Sequence, residues 1–291
     1  MNILLTGATG FIGKQLLYEL RKSNKVFILV RSGSKIDCLD RQYIFEFLDD
    51  IDQLVDYLLE NRIDGIVHLA SLYLSQHTTA QIKELVLSNV YLGTALLEAA
   101  KSADVKWFLN TGTIWQNYIP DSIDYCPVNL YAATKEAFVD MAKFYTETSA
   151  LRFCTLKLCD TYGPGDTRKK ILSLFKQISQ TGETLMMSPG DQRIDLLHID
   201  DVVNGFLHLI FLLNSNEDLD EEYVLTSGQY ISLKDLANLY MEVSGQKLSI
   251  CWGGRKYRER EVMMPWRKGK VLPGWHVIKS LEAGIIQFSK L

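Results

Sequence analysis

In the segment Tyr131-Ala132-Ala133-Thr134-Lys135 a phenol and an ammonium stand four residues apart, which places them on one face of a helix. An ammonium beside a phenol favours the phenolate, so the pair predicts a tyrosine able to exchange a proton near neutral pH. Spacing by itself does not select it, because Tyr18/Lys22 and Tyr230/Lys234 repeat the pattern. Those two read as surface pairs, the first on a helix face turned away from any ligand. Context selects Tyr131. It follows a strand ending in Asn110-Thr111-Gly112-Thr113, with hydroxyls at the carboxyl edge of a sheet, where parallel α/β folds bind ligands. A loop containing Pro120 and Pro127 separates that strand from the helix.

A second constellation lies at the start of the chain, in Thr6-Gly7-Ala8-Thr9-Gly10-Phe11-Ile12-Gly13. It follows an apolar run, Ile3 to Leu5, that reads as a buried strand. It opens a segment with helical spacing at Ile12, Leu16, Leu17 and Leu20. A glycine turn between strand and helix can cradle a dinucleotide's pyrophosphate. Gly7 permits the tight turn, Gly10 allows close backbone approach, and Gly13 lets the helix pack near the strand. The bland alternative, an ordinary turn with incidental glycines, fits the position at the first strand less well.

The elements that must position these residues alternate through the first half. Strands are predicted at 26–30, 43–48, 65–69, 106–110 and 153–158, and helices at 54–60, 80–101 and 131–145, which implies α/β architecture with a doubly wound parallel sheet. The rhythm breaks after Gly163-Pro164-Gly165. Helices at 171–180 and 233–244 and a polar loop at 214–222 then suggest a smaller mixed lobe. The expected division is a dinucleotide-binding unit over 1–165, to which 196–213 returns, and an interleaved substrate lobe over 166–291.

Composition bounds the rest. With 291 residues, 47% hydrophobic and 23% charged, the chain can bury a sizeable core. A net charge of −4 argues against nucleic acid as a partner. The five cysteines, Cys38, Cys126, Cys154, Cys159 and Cys251, are scattered without a Cys-x-x-Cys pair, which fits reduced thiols and no metal site. The run 206–213 is too short to cross a bilayer. The first strand sits at the N-terminus with no secretory signal before it, so a cytoplasmic location and no membrane association are expected.

Taken together, these motifs resemble the extended short-chain dehydrogenases/reductases, in the nucleotide-sugar-modifying branch. The resemblance rests on 6–13, His68-Leu69-Ala70, Asn89-Val90 with Gly93-Thr94, Tyr131 with Lys135, Tyr162 to Asp166, and Asp200-Asp201-Val202. Within the branch, 110–113, 162–166, and Arg258 with Glu261 are similar to the 4-ketoreductases that make CDP-3,6-dideoxyhexoses, the abequose and paratose synthases. The resemblance implies Thr111, Tyr131 and Lys135 as the catalytic set, with Thr113 second choice for the hydroxyl. It implies cofactor contacts from Gly7, Thr9, Gly10, Phe11, Ile12, Gly13, Arg31, Ser32, Asp49, Leu69, Ala70, Ser71 and Asn89, joined by Tyr131 and Lys135. Substrate contacts are expected from Thr113, Asp160, Lys169, Lys170, Arg193 and Arg258. A homodimer through the 80–101 and 131–145 helices is implied too.

Where relatives that use NAD carry an acid after the second strand, this chain has Arg31-Ser32-Gly33-Ser34-Lys35. A cation with hydroxyls suits a 2′-phosphate, so NADPH is expected over NADH, and with it a net reduction. Gly112-Thr113 also replaces the Asp-Glu pair of the nucleotide-sugar 4,6-dehydratases, which disfavours elimination. The expected activity is reduction of a 4-keto-6-deoxyhexose carried on a nucleoside diphosphate. Alternatives are an NAD-retaining 4-epimerase, a non-catalytic dinucleotide sensor, and a reductase of some other ketone. Two departures stand out. Arg193 is displaced by one residue from the usual arginine, which in a strand turns it to the other face unless a bulge intervenes. Asp160 occupies a usually neutral position, where it would repel a diphosphate unless Lys157 neutralises it. Residues 255–260 read either as diphosphate-binding or as an exposed charged loop.

Overall fold

The computed structural model describes residues 1–34, 41–215 and 217–290. Lys35 and Cys38 lie outside the described residues. The chain runs β1 (Asn2–Thr6), α1 (Phe11–Leu20), β2 (Lys25–Arg31), β3 (Ile44–Phe47), α2 (Ile51–Glu60), β4 (Gly65–His68), α3 (Ile82–Val86), α4 (Leu92–Ser102), β5 (Trp107–Thr113), α5 (Leu130–Thr148) and β6 (Arg152–Leu158). It continues through β7 (Asp160–Tyr162), α6 (Ile171–Thr181), β8 (Leu185–Met187), β9 (Arg193–His198), α7 (Ile199–Asn214), β10 (Glu222–Leu225), β11 (Tyr230–Ser232), α8 (Leu233–Ser244), β12 (Ile250–Trp252) and α9 (Leu281–Ser289).

Seven parallel strands form the main sheet in the order β10-β6-β5-β4-β1-β2-β3. Near-continuous apolar runs such as Val26–Val30 suit strands covered on both faces. Leu16, Leu20, Phe206 and Leu209 of α1 and α7 fill one face; Leu54, Leu96, Leu97 and Phe138 of α2, α4 and α5 fill the other. The strand order reverses between β1 and β4, and a crevice opens at such a switch point. The second layer is built on two small sheets, β11-β9-β7 and β12-β8, around Tyr162, Phe175, Tyr240 and Phe288.

Several element boundaries differ from the sequence reading. Strand β5 continues through Thr111 to Thr113, because β6 pairs with it as far as Thr113↔Leu158. The long helix expected over 80–101 is broken. A short 3₁₀ turn at Thr79–Gln81 precedes α3, and a π-turn at Leu87–Tyr91 precedes α4. The wider turn accommodates an inward Asn89, fully buried and hydrogen-bonded to the backbone of Leu72. Glu222–Leu225, where no strand was expected, completes the large sheet beside β6.

Candidate active site

The smaller of two adjoining cavities, about 230 Å³, is lined by Gly7, Gly10 and Gly13 on one side and by Thr111, Tyr131 and Lys135 on the other. The glycines have different tasks. Gly7 turns at φ +70°, and a Cβ there would meet the Ala70 backbone nitrogen at 2.7 Å. A Cβ on Gly13 would meet the Gly7 carbonyl oxygen at 2.1 Å, so α1 can approach β1 only without a side chain there. Gly10 is exposed, caps α1 without a side chain, and donates to Gly7 O at 2.9 Å. The leading N–H groups of α1 are therefore left for an anion. Leu69 and Ser71 also line this cavity, along with Phe11 and Ile12. A dinucleotide's pyrophosphate fits a turn so closed by backbone.

Helix α5 sets the opposite wall. Asn129 caps it, its side chain accepting from Ala132 N at 2.9 Å while its Nδ2 donates to Leu74 O and Ser75 O. Tyr131 thus sits in the first helical turn, with Lys135 one turn further and buried. Tyr73 packs edge-on against the Tyr131 ring at 5.1 Å between centroids.

Burial pushes the Tyr131 phenol up to about 12, against the pull of Lys170 and, more weakly, of Ser71 and Arg168. Burial also lowers Lys135 to about 8. The expectation that Lys135 would acidify Tyr131 is therefore corrected: desolvation dominates the phenol, and the cations acting on it come from 168 and 170. Tyr18 is exposed beside Lys22, and Lys234 pairs with Asp191 on the surface, as expected for bystanders.

The two threonines of β5 differ. Thr113 Oγ1 accepts from Trp115 N and caps the 3₁₀ turn Ile114–Gln116. Thr111 Oγ1 is buried and has no hydrogen-bond partner among the described residues. One hydroxyl is spent on the fold and the other is not.

Other expected cofactor residues are not brought to this cavity. Asn89 Oδ1 accepts from Leu72 N and Ser71 Oγ, and its Nδ2 donates to Leu72 O and Thr134 Oγ1. It shapes the 71–72 turn and has nothing left for a ligand. Ala70 N donates to Thr6 Oγ1, so Ala70 acts through its backbone. Thr9, Arg31 and Ser32 are exposed, and Asp49 turns at φ 60° beyond β3. These four do not line the cavity.

The larger cavity, about 490 Å³, shares Tyr73, Trp115, Asp160 and Lys170 with the first. Lys169, Arg193 and Arg258 line it, joined by Arg255 and Arg260. Lys170 Nζ binds Asp160 Oδ1 at 2.8 Å and stands 4.3 Å from the Tyr73 ring centre. Burial opposes that charge, but Asp160 and Tyr73 together hold the ammonium above its ordinary value. Lys157 does not neutralise Asp160; it bonds Glu222 and Asn117 at 2.8 and 2.9 Å. No bulge rescues Arg193, since Arg193↔Ser232, Ile194↔Ile231 and Asp195↔Tyr230 pair in unbroken register. Its Nη1 donates to Tyr230 O at 3.1 Å.

Two residues were missed by sequence reading. Tyr73 follows the His68-Leu69-Ala70 motif with nothing to mark it. Arg168 belongs to the cation run 168–170, of which only the last two were selected; its guanidinium stands 4.4 Å from the Phe11 ring centre.

Fold and crevice together define a dinucleotide-binding α/β protein of the Rossmann type. The chain belongs to the NAD dependent epimerase/dehydratase family, whose profile matches residues 3–224. It is 27% identical over 267 residues to CDP-abequose synthase of Yersinia pseudotuberculosis, covering 91% of this chain and 92% of that one. It is 27% identical over 299 residues to CDP-abequose synthase of Salmonella typhimurium, covering 99% and 97%. Among solved structures, the UDP-glucose 4-epimerase of Thermotoga maritima with UDP-glucose superposes with a TM-score of 0.83 at 21% identity, covering 100% and 98%. The UDP-glucuronic acid 4-epimerase of Bacillus cereus with UDP-glucuronic acid and NAD gives 0.83 at 20%, with the same coverage.

Proposed function

We propose that this chain uses NADPH to reduce the 4-keto group of a 6-deoxyhexose carried on a nucleoside diphosphate. The observation that carries the reading is the unpartnered, buried hydroxyl of Thr111, in one cavity with Tyr131, Lys135 and the glycine turn. A buried hydroxyl left without a partner is costly unless a ligand supplies one. The glycine turn and the α1 amino terminus would hold the dinucleotide's pyrophosphate, and Arg31 with Ser32 would face its 2′-phosphate. When bound, NADPH supplies the hydride.

The chain's own residues do the remaining work. Thr111 donates a hydrogen bond to the keto oxygen and fixes its position. Tyr131 gives that oxygen its proton; a phenol held near 12 is protonated at neutral pH, the form a reductase needs. Lys170 is the cation that pulls most on the phenolate left behind, and buried Lys135, an ammonium below about 8, would hold the nicotinamide ribose. Arg258 and Lys169, which line the larger cavity, supply positive charge for the sugar's diphosphate, because Arg193 there donates to Tyr230 O. The similarity to CDP-abequose synthases supports a deoxysugar substrate.

Incubation with NADPH and a panel of nucleotide-linked 4-keto-6-deoxyhexoses tests this: at least one should consume reduced nicotinamide with stoichiometric alcohol formation. Consumption of none would refute it. The epimerase likenesses at fold level favour a second reading, an NAD-retaining 4-epimerase. Protein that copurifies with NAD⁺ and interconverts two nucleotide sugars without net oxidation would establish that instead. We also propose a homodimer, supported by exposed apolar side chains on both helical segments expected to pair, Ile82, Val86 and Tyr91 on one and Met141 and Phe144 of α5 on the other.

A further inference from the structure

We propose that Arg168, carried on the loop after Gly163-Pro164-Gly165, closes over the glycine turn and binds the pyrophosphate of the dinucleotide held there. This rests on the dinucleotide-binding reading above and adds a ligand contact from the second half of the chain.

Three observations converge on Arg168. First, it lines the small cavity together with Gly7, Gly10 and Phe11, and does not line the larger one, although its neighbours Lys169 and Lys170 do. Second, it is held. Nε donates to Asp166 Oδ1 at 2.8 Å, and Nη2 donates to Asp166 Oδ2 and Thr161 O, each at 2.8 Å, and to Thr161 Oγ1 at 3.0 Å. The Asp166 side chain is only 1% exposed, so this anchor is rigid. Third, the guanidinium lies over the ring of Phe11, the first residue of α1, whose leading N–H groups have no side-chain cap and are left for an anion.

The hydrogen-bond inventory shows what is left. A guanidinium has five N–H donors, and Nε with Nη2 account for three of them. The two on Nη1 make no hydrogen bond to any described residue. Asp166 therefore orients the fork along one edge and leaves the other edge for an acceptor. A phosphate is the acceptor whose geometry and charge match a guanidinium edge. The cavity in which it sits points to the dinucleotide as the source, and the nucleotide sugar is the competing source of the same group.

The test is a binding titration on the full-length protein without substrate, following the fluorescence of NADPH and, separately, of NADH. Arg168→Met should weaken both by about tenfold, the loss of one charge-assisted hydrogen-bonded contact. Arg31→Ala should weaken NADPH only. Binding of CDP or UDP, probing the sugar-nucleotide side, should stay within about twofold of wild type under Arg168→Met. Asp166→Asn keeps the shape and loosens the anchor, so a smaller loss for both dinucleotides is expected; it serves also if Arg168→Met fails to fold. Arg168→Lys, a charge without the fork, should fall between wild type and Met.

Unchanged NADPH and NADH affinity in Arg168→Met and Asp166→Asn, with wild type binding normally, overturns this proposal and leaves the parent reading standing. Loss of CDP or UDP affinity without loss of dinucleotide affinity moves the contact to the sugar nucleotide and overturns it as well. Failure of wild type to bind either dinucleotide sinks the parent reading itself.

Discussion

The two cavities that meet at Tyr73 and Lys170 are built from different materials. Turns of backbone, with Thr111, Tyr131 and Lys135 on elements that end at one edge of the main sheet, form most of the smaller, and Arg168 and Lys170 reach it from the loop after Gly165. The larger is walled by charges of both signs, from the loops 166–170 and 255–261 and the start of β9. Backbone geometry recognises what all ligands of a class share. Long charged side chains on loops recognise what distinguishes one from another. The contrast explains how a common fold holds a common cofactor while the second ligand varies.

Removing the phenol would test the assignment of chemistry to the smaller cavity most severely. Tyr131→Phe should lower turnover by roughly 10²–10⁴ with dinucleotide affinity unchanged. Turnover near wild type would break the contrast at its centre. Thr111→Val should cost about 10² in turnover if its free hydroxyl meets the reacting oxygen. Thr113→Val should leave turnover nearly intact and cost about 1 kcal/mol of stability, the loss of a cap. Equal kinetic effects from the two would contradict the geometry of β5.

The pH profile gives a smaller, graded effect. Burial holds Lys135 at about 8, so a rate that needs its charge should fall about tenfold per unit above that value. Lys135→Met should be slow and flat across the same range. The sign for stability is the reverse. Between about 8 and the ordinary lysine value the folded chain binds fewer protons than the unfolded one, so this group's contribution rises with pH there. Smallest is the effect on the charged side: Arg258→Ala should raise KM for the sugar nucleotide about tenfold and leave NADPH affinity alone.

Much of the smaller cavity was legible in the sequence because local patterns determine it. A glycine turn after a strand, and a phenol one helical turn before an ammonium, need no long-range information. Asn89 shows where that legibility stops. Its motif position pointed to the cofactor, yet a π-turn rotates it inward, and four hydrogen bonds to the 71–72 turn and Thr134 saturate it. Asp160 shows the same limit for charge. Its partner is ten residues away at Lys170, not three away at Lys157, and a strand-to-loop excursion decides which. The phenol was misjudged for another reason. Proximity along a helix is visible in sequence, whereas burial, which raises Tyr131 and lowers Lys135, is a property of the assembled walls.

The chain comes back from its second layer to lay Glu222–Leu225 along β6, so no single cut yields two self-sufficient halves. A fragment ending after Gly165 would expose the hydrogen-bonding groups of β6 as a bare edge, an invitation to intermolecular pairing. It would also lose the Trp266 indole that donates to Ser122 O and the Arg267 amide that donates to Pro120 O. Limited digestion should therefore leave nicked halves that migrate together under native conditions and part only in denaturant.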